Sequence, residues 1–216
     1  MDLKTYTHLP ASGNEPRQAI FLLHGLGADG RDLIGLAPFF ARHFPDAVFL
    51  SPDAPFPCDM APMGRQWFSL QEWAPESILR GIQETSPLLD AYITSHLKRM
   101  NLTDSDCALI GFSQGTMMSL YTGPRRKGRL AGILGYSGAL VWEEDTNPAS
   151  LQKPPVRLIH GSADPVVPVS ACRHAQDTLE KAGFSVTSTI VPGLPHSIDE
   201  TGIESGIDFL KTVCGL

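Results

Sequence analysis

The stretch "DCALIGFSQGTMMSLYTGP", residues Asp106 to Pro124, decides how this chain folds. Its first half, Cys107–Phe112, is apolar almost throughout, as is typical of a strand buried in a parallel sheet, and a helix-like run follows. Between the two stands a serine in the pattern G-x-S-x-G, and a side chain at either Gly111 or Gly115 would collide as strand packs on helix. Such a strained turn exposes one hydroxyl, so Ser113 is the predicted nucleophile; the alternative is a structural turn serine.

The same alternation of strand and helix patterns runs along the chain. Further apolar strands are predicted at Ala19–His24, Ala47–Pro52, Leu130–Ser137 and Val156–Gly161. The alternating stretch Ser185–Val191 is placed nearer the sheet edge, and "KTYTHL" is placed as an antiparallel edge strand. Helices are predicted over Leu33–Phe44 with a kink or restart at Pro38, Ile78–Leu97 with an interruption at Pro87, the residues after Ser113, Val169–Ala182 and Asp199–Val213. This order predicts an α/β fold, a mostly parallel central sheet with helices on both faces, and residues 1–216 as one domain.

Composition and charge disfavour several classes of function. The 17 basic and 23 acidic residues give a net charge of −6, which argues against nucleic acid as a partner, and the basic cluster Arg125 to Arg129 is interpreted as a solvated loop. No apolar run approaches the ~18–20 residues of a membrane span and no secretory signal is visible, so no integral membrane association is expected. The four cysteines lack a C-x-x-C pair and metal-site spacing, which predicts reduced thiols, a cytoplasmic location and no bound metal.

Reactive side chains follow three of the predicted strands. Ligands bind beyond the carboxyl ends of parallel strands, and Ser113, Asp164 and His196 all lie in loops at that edge. His196, in "PGLPHSID", is the predicted base that activates the serine. Asp164, in "HGSADPVVP", is predicted to orient the imidazole; the alternatives are a capping or Asx-turn role for it, and Asp199 as the orienting carboxylate. The histidines at strand ends are interpreted as hydrogen-bonded structural groups: His24 and His160.

The order Ser, Asp, His along the chain is that of the α/β-hydrolase fold, whose chemistry passes through a tetrahedral oxyanion. The backbone N–H of Gln114, at the positive end of the new helix, is one predicted oxyanion donor. The second is predicted in the glycine-rich loop "LHGLGADG", where the N–H of Leu26 turns toward the serine. A plain glycine-rich turn is the alternative, and a phosphate site is disfavoured because the loop lacks the P-loop lysine.

Together these motifs resemble those of the phospholipase/carboxylesterase family, which includes the acyl-protein thioesterases and small bacterial carboxylesterases. The resemblance covers nearly the whole chain and rests on "LLHGLGADGRDL", "SPDAP", "GRQWFSL", "IGFSQG", "HGSADPVVP" and "LPHSI", in that order. It implies a compact α/β-hydrolase fold without a large lid, serine esterase activity without a metal or cofactor, and the triad and oxyanion donors named above. It also implies that Trp67 forms part of the acyl-binding wall, although the residue alone would more often belong to a core.

Two departures from the family pattern bear on the substrate. Thr116 follows Gly115 where a second small residue is common, and is expected to add bulk beneath the turn and trim the pocket. Ser69 follows Trp67 and Phe68 where relatives nearer the protein thioesterases often carry aspartate. The expected function is a serine carboxylesterase for short- to medium-chain acyl esters of small molecules. The alternatives are a thioesterase or lysophospholipase for longer acyl chains, and a non-catalytic binding module. An apolar rim near the site would suit a homodimer, a membrane surface or an acyl chain.

Overall fold

The computed structural model describes residues 3–215, which form nine strands and six α-helices. The strands are β1 (Thr5–His8), β2 (Gln18–Leu23), β3 (Ala47–Pro52), β4 (Phe56–Pro57), β5 (Arg65–Gln66), β6 (Cys107–Phe112), β7 (Gly132–Tyr136), β8 (Val156–Gly161) and β9 (Val186–Val191). The helices are α1 (Gly30–Leu33), α2 (Ala37–Ala41), α3 (Pro75–Arg99), α4 (Gln114–Arg125), α5 (Val169–Lys181) and α6 (Glu200–Cys214). Within the described range, none of these helices combines the length and apolar character needed to cross a membrane.

Seven strands form one sheet in the order β1-β3-β2-β6-β7-β8-β9. β1 pairs antiparallel with β3, and the other six strands run parallel to one another. The chain passes outward from β2 to β3 and then returns through α3 to β6, on the other side of β2. In open α/β sheets such a reversal leaves a crevice at the carboxyl ends of the two central strands. The loop after β2 and the turn after β6 therefore lie side by side at this edge.

Apolar layers cover both faces of the sheet, which explains why its strands are apolar at successive positions. Phe21 of β2 packs into the layer that contains Ile82 of α3, together with side chains of α4 and α5. The preceding residue, Ile20, packs into the opposite layer with Phe40 of α2 and Leu210 of α6. Both β2 side chains are fully buried. The two layers hold the strands and therefore fix the positions of the loops at their carboxyl ends.

The predicted elements are largely confirmed, but the expected interruption at Pro87 is wrong. The edge positions of β1 and β9 are as predicted. The helix predicted over Leu33–Phe44 is divided into α1 and α2 by a 3-10 turn. α3 instead continues through Pro87 for its full 25 residues. A proline inside a helix costs about 3 kcal/mol because one hydrogen bond is lost and the ring clashes with the carbonyl four residues earlier. Packing against α4 offsets this cost, since the preceding Ser86 is buried and its hydroxyl accepts a hydrogen bond from Thr122.

The basic cluster Arg125 to Arg129 is not a solvated loop at its beginning, contrary to expectation. Arg125 is the last residue of α4 and forms an ion pair with Glu143. Arg126 is only 6% exposed, and its guanidinium meets two carboxylates, one from α3 and one from the 3-10 turn before β6. A buried guanidinium is tolerated where its donors find such partners. Lys127, by contrast, is exposed.

A second sheet, formed by β4 and β5, was not predicted because two-residue strands carry no periodicity. β5 is bound to the loop after β2 by two backbone hydrogen bonds. The N–H of Gly27 donates to the carbonyl of Arg65 at 2.9 Å, and the N–H of Arg65 donates to the carbonyl of Ala28 at 2.8 Å. The segment 56–66 is therefore attached to the carboxyl edge of the large sheet.

Candidate active site

Ser113 lies in the turn between β6 and α4 with φ of 54° and ψ of −116°. A non-glycine residue in such a conformation costs about 1–3 kcal/mol and persists only where its surroundings impose it. Two glycines impose it here. A Cβ on Gly115 would lie 1.8 Å from the carbonyl oxygen of Leu23, and one on Gly111 would lie 2.4 Å from the nitrogen of Thr116. The close packing of α4 on the sheet therefore fixes the serine at the carboxyl end of a central strand.

Asp164 and His196 meet between the loops that follow β8 and β9. Nδ1 of His196 lies 2.7 Å from Oδ2 of Asp164, whose side chain is fully buried. The other carboxylate oxygen accepts the backbone N–H groups of Val166 at 2.8 Å and Val167 at 2.9 Å. These bonds orient the carboxylate, which in turn favours the imidazole tautomer protonated on Nδ1. Nε2 is then left as the basic nitrogen.

The pKa of Asp164 is lower than its ordinary value. Burial raises this pKa, but the hydrogen bonds from His196 and from the N–H groups of Val167 and Val166 outweigh it. The carboxylate is therefore ionised at neutral pH and can stabilise an imidazolium beside it. His160, predicted as a structural histidine, supports the same loop: its Nε2 donates to the carbonyl of Val167 at 2.8 Å and lies 3.4 Å from Oδ2 of Asp164.

His196 lies beside the nucleophile turn, where its ring contacts the ring of Phe112. The centroids of the two rings are 4.8 Å apart, and Phe112 directly precedes Ser113 in the chain. The Ser113 hydroxyl and the imidazole do not form a hydrogen bond in this structure. Catalytic hydrogen bonds are often long before substrate binds and shorten in the complex. Sequence analysis did not identify Phe112; the signal available was an aromatic residue immediately before the nucleophile.

The two predicted oxyanion donors lie on neighbouring segments of the carboxyl edge. Leu26 is half-buried in the loop after β2, and Gln114 is the first residue of α4. Within residues 3–215, neither backbone N–H donates to an acceptor. Both groups are therefore available to a negative charge that develops beside Ser113, and the helix dipole favours such a charge at Gln114.

Trp67 lies in the core. Its side chain is fully buried, and its indole N–H donates to the carbonyl oxygen of His24 at 2.9 Å. Its backbone N–H donates to Oε1 of Gln114 at 3.1 Å. The ring presents no open surface to a ligand in this structure, so its part in an acyl-binding wall stays a prediction. Its hydrogen bonds instead connect the two segments that carry the predicted oxyanion donors.

The structure corrects the expectation for Thr116 and does not support Asp199 as the alternative orienting carboxylate. Thr116 does not trim a pocket, because it is 1% exposed beneath the turn and its hydroxyl lies 2.8 Å from the carbonyl oxygens of Gly111 and Tyr136. The glycines of β7 and the loop after it leave space for the threonine. Asp199 does not compete for the imidazole, because it caps α6 by accepting the N–H of Gly202 at 2.8 Å.

The site thus combines a strained serine, an imidazole oriented by a carboxylate and two backbone N–H groups that have no acceptor in the described part of the chain. This set is suited to acyl transfer through a covalent intermediate, since the base activates the hydroxyl and the N–H groups stabilise the oxyanion. Across the part of the chain that the structure describes, no group of three or more His, Cys, Asp or Glu side chains is arranged to hold a metal ion.

Comparison with known proteins gives the family. The sequence matches the Phospholipase/Carboxylesterase family model over residues 5–214. The chain belongs to the phospholipase/carboxylesterase family. A relative, esterase YpfH of Escherichia coli (strain K12), is 30% identical over 201 residues, which cover 93% of this chain and 85% of that protein.

Two further relatives agree with this membership of the phospholipase/carboxylesterase family. The crystal structure of esterase PE8 superposes with a TM-score of 0.93 at 37% identity, covering 99% of this chain and 100% of that one. Acyl-protein thioesterase 1 of Neurospora crassa is 28% identical over 218 residues, 94% of this chain and 89% of that protein. The α/β-hydrolase architecture and a hydrolase activity of the serine type are thus those of the family.

Proposed function

We propose that this family member is a serine carboxylesterase that hydrolyses esters of short- to medium-chain acids through an acyl-enzyme on Ser113. The observation that carries the proposal is the strained Ser113 turn beside the Asp164–His196 pair, whose bond is 2.7 Å long. A serine hydroxyl becomes an effective nucleophile only beside an oriented base. Two relatives named as esterases, at 30% and 37% identity, support an ester as the substrate.

The mechanism has two steps that use the same groups. The Ser113 hydroxyl oxygen attacks the ester carbonyl carbon while Nε2 of His196 takes the hydroxyl proton, and the N–H groups of Leu26 and Gln114 stabilise the resulting oxyanion. The bond between the carbonyl carbon and the alcohol oxygen then breaks, and the alcohol leaves with the proton from His196. In the second step, water attacks the acyl carbon and gives a proton to His196. Ser113 regains this proton as the carboxylic acid is released.

Hydrolysis of acyl-thioesters is the second candidate, because a relative at 28% identity is named an acyl-protein thioesterase. The same groups serve both reactions, since an ester and a thioester of one acid give the same acyl-enzyme. Ser69 follows Phe68 where the protein thioesterases often carry aspartate. This departure favours the carboxylesterase.

An acyl-chain series tests the proposal on the purified protein. We expect kcat/KM to be highest for p-nitrophenyl esters between acetate and octanoate, and lower for palmitate and for matched acyl-thioesters. A maximum at palmitoyl thioesters would favour the thioesterase instead. In the control variant Ser113→Ala, we expect kcat to fall by ~10³–10⁶-fold. A folded wild-type protein that a fluorophosphonate does not label would indicate the binding module.

A cytoplasmic location and a homodimer complete the proposal. All four cysteines are unpaired, as expected in a reducing compartment. The segment 56–73 exposes large apolar side chains, among them Met60, Met63 and Trp73, which would suit a second copy of the chain. Sedimentation velocity at micromolar concentration should then give twice the chain mass of 23.4 kDa. If the protein is a monomer, the exposed apolar side chains of segment 56–73 would instead be available to an acyl chain or a membrane surface.

A further inference from the structure

The two predicted oxyanion donors belong to different elements, so their separation must be fixed if both are to reach one oxygen atom. Gln114 is held at the start of α4, but Leu26 lies in a loop between Gly25 and Gly27, the latter with φ of 80°. Glycines give a loop conformational freedom, which by itself does not hold an N–H group in one direction. The loop therefore needs contacts that restrain it relative to α4.

The side chain of Gln114 makes the first of these contacts. Its Oε1 accepts the backbone N–H of Trp67 at 3.1 Å, and its Nε2 donates to the carbonyl of Phe68 at 2.9 Å. Gln114 is 1% exposed and Trp67 is fully buried, so water does not compete for these bonds. The residue whose backbone N–H faces the oxyanion therefore also binds the Trp67–Phe68 backbone.

Trp67 makes the second contact, toward the other donor. Its indole N–H donates to the carbonyl of His24 at 2.9 Å, two residues before Leu26. The His24 ring is itself fixed: Nε2 accepts the N–H of Ala54 at 2.9 Å, so Nδ1 carries a proton and donates to the carbonyl of Gly25 at 2.7 Å. Burial lowers the pKa of His24, which keeps the ring neutral and preserves this tautomer.

We propose that the Gln114 carboxamide and the Trp67 indole are positioning residues that hold the N–H groups of Gln114 and Leu26 at a fixed separation. The inference rests on the proposed function and extends it, because the oxyanion site is then maintained by a chain of buried side-chain hydrogen bonds and not by the glycine loop alone. Donors fixed in advance stabilise the transition state without a reorganisation cost. Loss of one link is therefore expected to lower kcat more than it changes KM.

The test removes one link at a time in the full-length protein. Trp67→Phe deletes the indole N–H. Benzothienylalanine at position 67 also deletes the N–H but keeps the shape of the ring, so this second variant should fold as the wild type does. Gln114→Met deletes both carboxamide bonds and leaves the backbone N–H in place. The matched control is Trp142→Phe, because the Trp142 indole also donates to a backbone carbonyl, that of Leu120 at 3.1 Å, but connects the loop after β7 to α4.

Each change at positions 67 and 114 is expected to lower kcat on p-nitrophenyl butyrate about 10- to 100-fold, with KM within about twofold. This loss is smaller than the ~10²–10³-fold caused by deleting an oxyanion donor, because the donors are displaced and not removed. The affinity for an aryl trifluoromethyl ketone, which adds to Ser113 as an oxyanion, should fall by the same factor as kcat/KM. The double variant should lose no more than the larger single loss, since the bonds lie in series. Trp142→Phe should keep the wild-type kcat.

Different results would contradict the positioning role and the proposed esterase function. If the benzothienylalanine and Gln114→Met proteins have wild-type circular dichroism and unchanged kcat and ketone affinity, the positioning role is wrong and the esterase stands. A loss confined to Tm or KM would lead to the same conclusion. If the Ser113→Ala variant hydrolyses esters as fast as the wild type, the proposed function is wrong. The positioning role depends on that function and would then be wrong as well.

Discussion

At the scale of single residues, Ser113 keeps its strained positive-φ conformation because its neighbours restrict the chain on both sides. Gly115 brings the start of α4 against the carbonyl of Leu23, and the Ser113 N–H donates to the carbonyl of Tyr136 at 2.9 Å. The nucleophile turn is therefore held against both strands that flank β6, by the packing of Gly115 on β2 and by the Ser113 hydrogen bond to β7. The tight packing explains why glycine is needed at Gly111 and Gly115, on either side of the strained serine.

Gly115→Ala is expected to lower the free energy of unfolding by about 3 kcal/mol, because the new Cβ would overlap the Leu23 carbonyl oxygen, 1.8 Å away. Urea unfolding measures this change. The matched control is Gly35→Ala, where no atom of residues 3–215 lies within 4 Å of the added Cβ and the expected change is neutral or stabilising by up to about 1 kcal/mol. Equal costs at the two positions would contradict the packing argument.

Asp164→Asn is expected to lower kcat by ~10⁴-fold, because an amide that donates toward Nδ1 favours the wrong imidazole tautomer. The Tm should change little, since Oδ1 can still accept the N–H groups of Val166 and Val167. Asp199→Asn is the control, because asparagine caps a helix about as well as aspartate and the bond to Gly202 persists. A larger loss of kcat in Asp199→Asn than in Asp164→Asn would contradict the assignment.

Spacing and residue type identified Ser113, Asp164 and His196 as candidates, and the structure brings the last two into a hydrogen bond. The same reasoning did not find the carboxamide of Gln114 or the ring of Phe112. Both make their contacts through side-chain directions that depend on how distant loops pass each other, and such directions leave no pattern in the sequence.

At the scale of elements, the loop after β7 is tied to two helices by one carboxylate. Glu143 accepts hydrogen bonds from Gln83 of α3 and Tyr121 of α4, and pairs with Arg125 at the end of α4. Burial raises the pKa of Glu143, but the hydrogen bonds from Tyr121 and Gln83 and the charge of Arg125 outweigh it and lower the pKa to about 2. The loop is therefore bound most firmly when Glu143 is ionised.

The pH dependence of stability tests this tie. Because the pKa of Glu143 falls from 4.5 to about 2 on folding, its contribution is complete above pH 4.5 and is lost as the pH falls toward 2. The wild-type Tm should therefore drop more between pH 6 and pH 3 than the Tm of Glu143→Gln. The neighbouring exposed Glu144→Gln should follow the wild type. Parallel Tm curves for the wild type and Glu143→Gln would contradict the role of the carboxylate.

Elements were predictable where burial on both faces produced continuous apolar runs, as in β3, β6 and β8, whose bounds match the sequence prediction. α3 was predicted with a break because local propensity disfavours Pro87. Its packing on α4 is a tertiary effect, and tertiary packing overrides propensity without a local signature. The short β4 and β5 pair depends in the same way on the loop after β2.

At the scale of the whole molecule, Arg126 connects segments that are far apart in the sequence. Its guanidinium donates to the Asp90 carboxylate and the Thr94 hydroxyl of α3, and to Asp104 before β6. The Arg126 side chain is 3% exposed, while that of Asp90 is 48% exposed. α3, the return crossover from β3 to β6, is thereby bound to the end of α4 and to the chain that enters β6.

Arg126→Ala is expected to lower the free energy of unfolding by about 3 kcal/mol, because Asp104 would keep a poorly solvated charge without its partner. This expected loss of stability is at the low end of the range for broken buried ion pairs, because the Asp90 side chain is about half exposed to water. Chemical denaturation followed by tryptophan fluorescence measures the change. The exposed neighbour Lys127→Ala is expected to change the stability by less than about 0.5 kcal/mol. Similar losses in the two variants would contradict the network.

The contact between Gly115 and Leu23 has a consequence for engineering. Since main chain rests on main chain at this point, the attacking oxygen is located without help from the side chains that a substrate would meet. The outer segment Met60–Met63, between β4 and β5, exposes its two methionines to solvent and is separate from that contact. Substituting the two exposed methionines, Met60 and Met63, would therefore change this apolar surface while Ser113 keeps its position.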